Sequence, residues 1–596
     1  MPPCLSVVAC RAYGSSGVAG DAPLVPGRGR PTAVPPPALG AALVHRHERT
    51  LTYCVLAVHV TLALMPLLSS GYYSDDLTTS ATRGRCSLRG TNILEYLSWN
   101  HERMMSLGRV TPLDVLLGFS VQYLLPAPFA YKCLLLFMVV VNVLLFARFV
   151  ELVSGNFHAG CLAALMVPVL IQFRLYHDPV LSFSGRMQFV VALILSSLIL
   201  FQQYVESGRR TRLLWSVLLF NGALYCYEVS VPFVVVFGIL ASGGTSPRST
   251  LSGMRKALPH VASAACALAI TGLVRFLRGP SPVYPGIAFS PDLVAAARTL
   301  MIQLFSSLPM SYRLLDPAKL FSGPGIGWIA GPDIADTAVF TLACRHLAKR
   351  AGAGAQAGVL ILIGGVMWLL PASLIAVSQK YQQELRWGEG YLPVYVQYFG
   401  VILVALGLLM RWRGGVIFSP SGRHWRSVAC AVLASCLLVN IHDNRLVVEQ
   451  ANIELHYRRS ALVEALSRGI LAEVPEGATL VIADRYSYNP RPGVTSPLRG
   501  WSRAFRWKNA ALVLQFSGKR LRVVEEEAVT SKLPAADAPK ETFLLEIRSY
   551  PDQLKEKRGY VVLSEVVRIA AGPSGEVRFA LRRRLSTSRP SSKSSG

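Results

Sequence analysis

Two adjacent carboxylates, Asp75 and Asp76, follow directly on an apolar run, residues 51–70, within the segment Tyr72-Tyr73-Ser74-Asp75-Asp76-Leu77. A carboxylate costs roughly 2.5–3.5 kcal/mol at the centre of a spanning helix and less near its end, so a pair kept at a membrane boundary has either a task or water around it. Four further clusters carry groups that exchange protons or hold anions: Gly108-Arg109, Tyr176-His177-Asp178, Tyr227-Glu228 and the run Lys380-Tyr381-Gln382-Gln383-Glu384-Leu385-Arg386-Trp387, with Tyr284 as a lone addition. Each has a plain alternative: a helix end, a C-cap with a snorkelling Arg, a loop ion pair, a solvated turn, an interfacial anchor. Those alternatives do not explain why all the clusters fall on one side of a membrane once the spans are counted.

The elements that must position these residues are membrane helices. In 596 residues, 52% are hydrophobic and 16% charged, with a mean hydropathy of +0.40, the composition of an integral membrane protein. The net charge of +26 lies largely in short clusters between apolar runs, as cytoplasmic loops do. No motif for binding RNA or DNA accompanies it, so nucleic acid is not expected as a partner. Eleven cysteines are scattered without metal-ligand spacing and none follows Cys436, which excludes a disulfide framework and a zinc site as organising features.

Against the roughly 20 residues a helix needs to cross about 30 Å of hydrocarbon, apolar runs predict eleven spans: 51–70, 129–150, 157–173, 187–204, 213–227, 229–242, 259–276, 328–346, 356–376, 393–411 and 427–442. His45, Arg46, His47 and Arg49 precede the first and hold its start inside. Alternate connections then collect Arg209, Arg210 and Arg212; Arg248, Arg255 and Lys256; Arg345, Lys349 and Arg350; and Arg411, Arg413, Arg423 and Arg426. The opposite connections are mixed in sign and hold most of the carboxylates, including every cluster above. An ion-coupled transporter would place ionisable groups near the midplane, whereas this chain gathers them at the outer surface, as an enzyme working there would.

Residues 1–50, rich in Pro, Gly and Ala, read as a disordered cytoplasmic extension. The first outer loop, 71–128, holds a predicted surface helix, Asn92 to Leu107, with Ile93, Leu94, Leu97, Met104 and Met105 on one face, and an interfacial or re-entrant stretch, Leu113 to Leu125. After the membrane region, 51–442, residues 443–584 change character: a polar helix, Glu449 to Leu471, leads to strand-like runs at 478–483, 543–547 and 560–563. These predict a small soluble α/β domain outside the membrane, followed by a Ser/Arg/Lys-rich tail, 585–596, expected to be disordered.

An N-in first span, a long outer loop opening with an acidic pair, Trp99 with Gly108-Arg109 in that loop, Tyr227-Glu228 between spans and a soluble outer C-terminal domain together resemble the polytopic GT-C-fold glycosyltransferases, especially bacterial members that use a polyprenyl-phosphate-linked sugar. The resemblance implies an inverting transfer of a monosaccharide to a cell-surface glycan or lipid-linked acceptor on the outer face of a bacterial inner membrane, with membrane lipids as surroundings. It implies Asp75 as general base, with Asp76 orienting it or holding a metal, and Arg109, Lys380 or Arg386 on the donor phosphate. His177, Asp178, Tyr227, Glu228, Tyr381 and Glu384 would bind substrate. No obligatory cofactor is implied, although a divalent metal, Mg or Mn, is compatible with the acidic pair. A surface-polysaccharide polymerase or ligase and a lipid-sugar transporter are the alternative readings.

The charge asymmetry yields a direct test of orientation. A reporter active only outside the cytoplasm is expected to give signal when fused after Ala478 and none after Arg210; the reverse pattern would put the clusters on the inner face.

Overall fold

The computed structural model describes residues 39–175, 177–243, 247–278, 292–315, 330–351, 356–412, 420–486, 510–525, 542–549, 560–569 and 576–586. Tyr176, Tyr284 and residues 587–596 of the expected tail lie outside them. The chain divides into two units, residues 1–51 and 52–596. The first is described from residue 39, where helix α1 (Leu39–Ala63) begins, so about three turns of helix occupy the end of the stretch expected to be a disordered extension. Leu39, Ala41, Ala42 and Leu43 are strong helix formers with no Pro or cap to stop them.

The second unit is predominantly helical. The segment between α1 and the first long membrane helix carries α2 (Thr82–Arg89), α3 (Ile93–Ser106) and α4 (Pro112–Leu124). Helix α3 starts where Asn92 Oδ1 accepts from Glu95 N at 2.9 Å and Glu95 Oε2 accepts from Asn92 N at 3.2 Å, a reciprocal capping box. Its buried face is Tyr96, Leu97 and Asn100. Leu94 instead is 73% exposed, because Tyr96 packs edge-on against Phe119 at 5.5 Å and turns the other side of the helix inward. Helix α4 opens with Pro112, whose missing N–H is one the first turn would leave unpaired anyway.

The further helices are α5 (Pro128–Ser154), α6 (Phe157–Leu170), α7 (Arg186–Ser207), α8 (Arg210–Cys226), α9 (Val234–Ser242), α10 (Pro247–Arg278), α11 (Leu293–Ser306), α12 (Gly331–Arg350), α13 (Ala357–Ala376), α14 (Gln379–Glu384), α15 (Val394–Trp412) and α16 (Pro420–Ala451). Among the described residues six segments are long and apolar enough to cross a membrane: Pro128–Ser154, Phe183–Ser207, Gly253–Arg278, Ala357–Ala376, Val394–Arg411 and Ser427–Ala451. The other five expected spans coincide with helices that fall short of that length or apolarity. Helix α11 was not anticipated; it occupies a stretch expected to be part of an outer connection.

Helices α13 and α15 meet through glycine. A Cβ on Gly400 would lie 2.7 Å from Trp368 N and 2.8 Å from Gly364 O, and one on Gly407 would lie 2.8 Å from Ala357 O. Apolar helices in lipid gain little from hiding apolar surface, so close backbone approach at small residues is what holds them together.

Helix α16 runs on through one π turn, Asn452–His456, into α17 (Tyr457–Ser467) and the extramembrane domain. That domain holds α18 (Ala510–Ser517) and strands β1 (Thr479–Tyr486), β2 (Arg522–Glu525), β3 (Thr542–Ser549), β4 (Tyr560–Ile569) and β5 (Glu576–Ser586). The sheet order is β2-β1-β3-β4-β5, parallel across β2, β1 and β3 and antiparallel from β3 to β5. β5 extends two residues into the expected tail, because Tyr560 and Val561 of β4 pair with Ser586 and Leu585. The domain's core includes Leu462, Leu466, Leu480, Leu512 and Leu545, and Ala81, from the segment after α1, belongs to it too.

Gly400→Ala is expected to lower the thermal midpoint of the purified protein in detergent by the equivalent of about 1–3 kcal/mol, the usual cost of overpacking. Gly365, whose added Cβ meets nothing within 4 Å, is the control, and Gly365→Ala should change the midpoint little. Equal effects would mean the two helices do not meet through Gly400.

Candidate functional site

After α1 a single turn, Pro66–Ser69, delivers the chain to Tyr72 and Tyr73, both buried. Ser74 is held at φ 53°, a left-handed conformation a serine adopts only when its surroundings enforce it, and a short helix, Asp76–Thr79, begins at Asp75. This turn points the two carboxylates to opposite sides. Asp76 is fully buried. Its Oδ2 accepts from Tyr131 Oη at 2.7 Å and its Oδ1 from Ser184 N at 3.1 Å. Burial pushes its carboxyl up to about 6, and Lys132, Tyr131 and the Ser184 amide oppose that rise.

Asp75, by contrast, is exposed. Burial nevertheless raises its carboxyl above the ordinary range, countered by Arg186 and Lys380 and reinforced by Asp114. Solvent contact combined with dense surrounding protein places Asp75 in a cleft. Among the described residues its carboxylate accepts no hydrogen bond.

The walls of the cleft come from distant parts of the chain. Arg186, at the start of α7, forms an ion pair with buried Asp114 in the first turn of α4. The turn before it, Phe183-Ser184-Gly185, has positive φ at all three residues and is held by Asp76 and by Ser184 Oγ donating to Gly118 O at 3.0 Å. Arg109 is buried and donates twice to Glu228, Nε to Oε1 at 3.0 Å and Nη2 to Oε2 at 2.9 Å. Burial alone would raise the Glu228 carboxyl, but this bidentate guanidinium outweighs it and holds it below the usual value. Between the two pairs lies Tyr227, its ring centre 5.9 Å from the Arg109 guanidinium and 5.8 Å from that of Arg186.

On the opposite wall the His177 ring stands edge-on to Tyr391 at 5.3 Å, and Tyr391 lies 4.1 Å from Tyr381. Lys380, in α14, is 3.8 Å from Glu384 and close enough to Asp75 and His177 to act on both. Burial, helped by that lysine, pushes the His177 imidazole down to about 3, so it is neutral at pH 7.

The structure thus brings together Asp75, Arg109, His177, Tyr227, Glu228, Lys380 and Tyr381, with Glu384 at the edge. Three expected site residues are placed otherwise. Asp76 is turned inward and engaged on both oxygens, so it has no path to a substrate hydroxyl. Asp178 is buried and accepts from the amides of Arg174, Val180 and Leu181 at 2.8, 2.7 and 2.6 Å, which makes it the organiser of its loop rather than a substrate contact. Arg386 is exposed on its loop, and among the described residues its side chain makes no ion pair with the cleft. Asp114, Arg186 and Tyr391 belong to the site without having been expected there. Asp114 and Arg186 had a legible signal, since each is an ionisable residue at the start of an apolar run.

Among the described residues no three His, Cys, Asp or Glu side chains gather closely enough to hold a metal ion. The acidic pair in particular does not converge on one point, so the expected role of Asp76 as a metal ligand does not fit. What the arrangement offers is an accessible carboxylate, able to take a proton, facing cationic and phenolic groups suited to an anion. No model of a known protein family matches the chain, and no curated protein does.

Replacing Arg109 by Met and Glu228 by Met, singly and together, tests the pair that builds one wall. Each single variant is expected to lower the thermal midpoint, and the double variant to lose less than the sum, because either single change strands a desolvated partner. Additive losses would show that the two do not act as a pair.

Proposed function

We propose that this protein is a membrane glycosyltransferase that moves a monosaccharide from a polyprenyl-phosphate donor to a glycan or lipid-linked acceptor at the outer surface, on a GT-C-like arrangement of about eleven spans. The observation that carries the reading is Asp75: a carboxylate that is solvent-accessible in a cleft, without a hydrogen bond among the described residues, and flanked by Lys380 and the Asp114-paired Arg186. The site lies where first-loop helices meet the ends of membrane helices, which suits a substrate whose lipid tail stays in the bilayer.

A sugar linked through phosphate carries its own leaving group, so the protein's task is to deprotonate the acceptor hydroxyl, hold the phosphate and align the attack. Asp75 takes the proton as the acceptor oxygen attacks the anomeric carbon; the carbon–oxygen bond to phosphate breaks on the opposite face, and the configuration inverts. Lys380 and Arg186 stabilise the charge that gathers on the departing phosphate. Arg109 contributes through Glu228 to the shape of the wall, and neutral His177 with Tyr391 and Tyr381 forms a surface of rings against which a sugar can pack. Asp76 anchors the loop and leaves the proton transfer to its neighbour.

Asp75→Asn is expected to reduce transfer from a purified polyprenyl-phosphate sugar in liposomes by about 10²–10⁴-fold, the usual contribution of a general base, with protein accumulation unchanged. The pH dependence carries a sign. Because the Asp75 carboxyl is raised, the deprotonated base is lost as pH falls through a value above the ordinary carboxylate range, so kcat/KM should show an acid limb there that Asp75→Asn abolishes. Full transfer by Asp75→Asn would overturn the assignment.

A further inference from the structure

The segment that carries Asp75 is gripped on both sides by residues that follow the last membrane helix. Ahead of it, buried Asn452 in the π turn accepts from Gly71 N at 2.9 Å through Oδ1 and donates from Nδ2 to Ser69 O at 2.9 Å. Gly71 is a requirement of that contact, since a Cβ there would fall 2.1 Å from His456 Cγ. Behind Asp75, Arg459 of α17 donates from Nη2 to Ser80 Oγ at 2.8 Å, and its guanidinium lies 4.6 Å from the centre of the Tyr72 ring.

Further along, Gln515 of α18 accepts from Gly84 N at 3.1 Å and donates to Ser80 O at 3.4 Å. Gly84 presses on α18 so closely that a Cβ would stand 1.8 Å from Ala511 O. Arg520 donates to Ser87 O at 2.8 Å.

Arg459 stands out among these. It is buried, forms no ion pair with a carboxylate among the described residues, and its Nε has no hydrogen-bond partner. A desolvated guanidinium is costly, and burial accordingly lowers its proton affinity, to about 10. What it gains is a grip on Tyr72, whose hydroxyl donates to Pro126 O at 2.5 Å and whose ring stacks 5.9 Å from Tyr131, the residue that holds Asp76. A π turn is an irregularity that helices keep mostly where a side chain must be re-aimed, and here it aims Asn452 at the loop.

We infer that the extramembrane domain is a positioning element for Asp75, acting through Asn452 and Arg459, so that the geometry of the cleft is set by how this domain sits on the first outer loop. The part of the inference that concerns catalysis rests on the transferase reading above; the part that concerns the loop does not. Neither residue touches the cleft, and both act through the chain on either side of Asp75. Any ligand or partner that shifts the domain would therefore shift the base.

The experiment uses the full-length protein in liposomes and two readouts. In hydrogen–deuterium exchange, Asn452→Ala and Arg459→Met are each expected to raise exchange in peptides spanning 71–81 by about tenfold, the change that losing one or two hydrogen bonds makes in a local opening equilibrium, with Val394–Trp412 unchanged. Asn452→Asp, which keeps the acceptor for Gly71 N, and Arg459→Lys, which keeps a cation at Tyr72, should recover part of the protection. In the transfer assay the same variants should lower kcat with KM for the donor held within about twofold, and the acid limb should move toward the ordinary carboxylate range as the loosened loop lets Asp75 move out of the dense protein around it. Unchanged exchange at 71–81, or a rise spread equally along the chain in the two conservative variants, would overturn the inference. Absence of transfer by the wild-type protein would instead remove the transferase reading and leave the exchange result to decide the positioning role.

Discussion

The buried carboxylate of Asp76 ties together three segments that sequence keeps far apart. It accepts from Tyr131 on the first turns of α5 and from the amide of Ser184 in the strained turn before α7, while its own backbone continues the loop from α1. A carboxylate so placed is tolerable only because each oxygen is satisfied and Lys132 lies near. That lysine is itself buried and donates to Leu181 O, which fixes the segment on the other side of the turn. The arrangement forces Asp75, one residue earlier, to face the opposite way. It also sets where α7 begins, and hence where Arg186 stands.

Around this anchor the site is made of charges that satisfy one another. Arg186 pairs with Asp114, Arg109 with Glu228, and Lys380 with Glu384, so three cations meet three carboxylates before Asp75 is counted. Arg174 is held by uncharged acceptors instead: fully buried, it donates to Ser306 O, Gly388 O and the Tyr398 hydroxyl, and so joins the His177 loop to the one after α14. Polar groups in a low-dielectric setting are costly to leave unpaired, so a network of this kind has one arrangement it strongly prefers. The proposed transfer would need that rigidity, because misplacing reacting groups by an ångström sacrifices much of the rate.

The helical region and the sheet domain meet at the segment that follows α1. Ala81 belongs to the domain's apolar core while Tyr72 and Leu77, a few residues away, belong to the membrane region's core. The loop is therefore a shared surface, and its fold depends on both partners. Between Ser70 and Asp75, where no helix forms, tertiary contacts such as those of Gly71 and Tyr72 fix the chain instead.

Six of the eleven expected apolar spans, the helix beginning at Asn92 and the strands near 479, 543 and 560 were legible in the sequence, because each rests on local periodicity, capping or hydropathy, whereas the last apolar helix runs on to Ala451, past the expected end at residue 442. The gathering of polar clusters into one site was anticipated from loop charge, and the structure brings most of those residues together. What sequence could not decide was the split between Asp75 and Asp76. Adjacent residues share composition and hydropathy, and only the left-handed Ser74 and the partners waiting on α5 and at Ser184 send one carboxylate inward and the other to the cleft. The inward turn of Asp178, the exposure of Arg386 and the recruitment of Asp114, Arg186 and Tyr391 have the same cause. Direction of a side chain in a loop is set by contacts with segments tens or hundreds of residues away, and no local pattern encodes those.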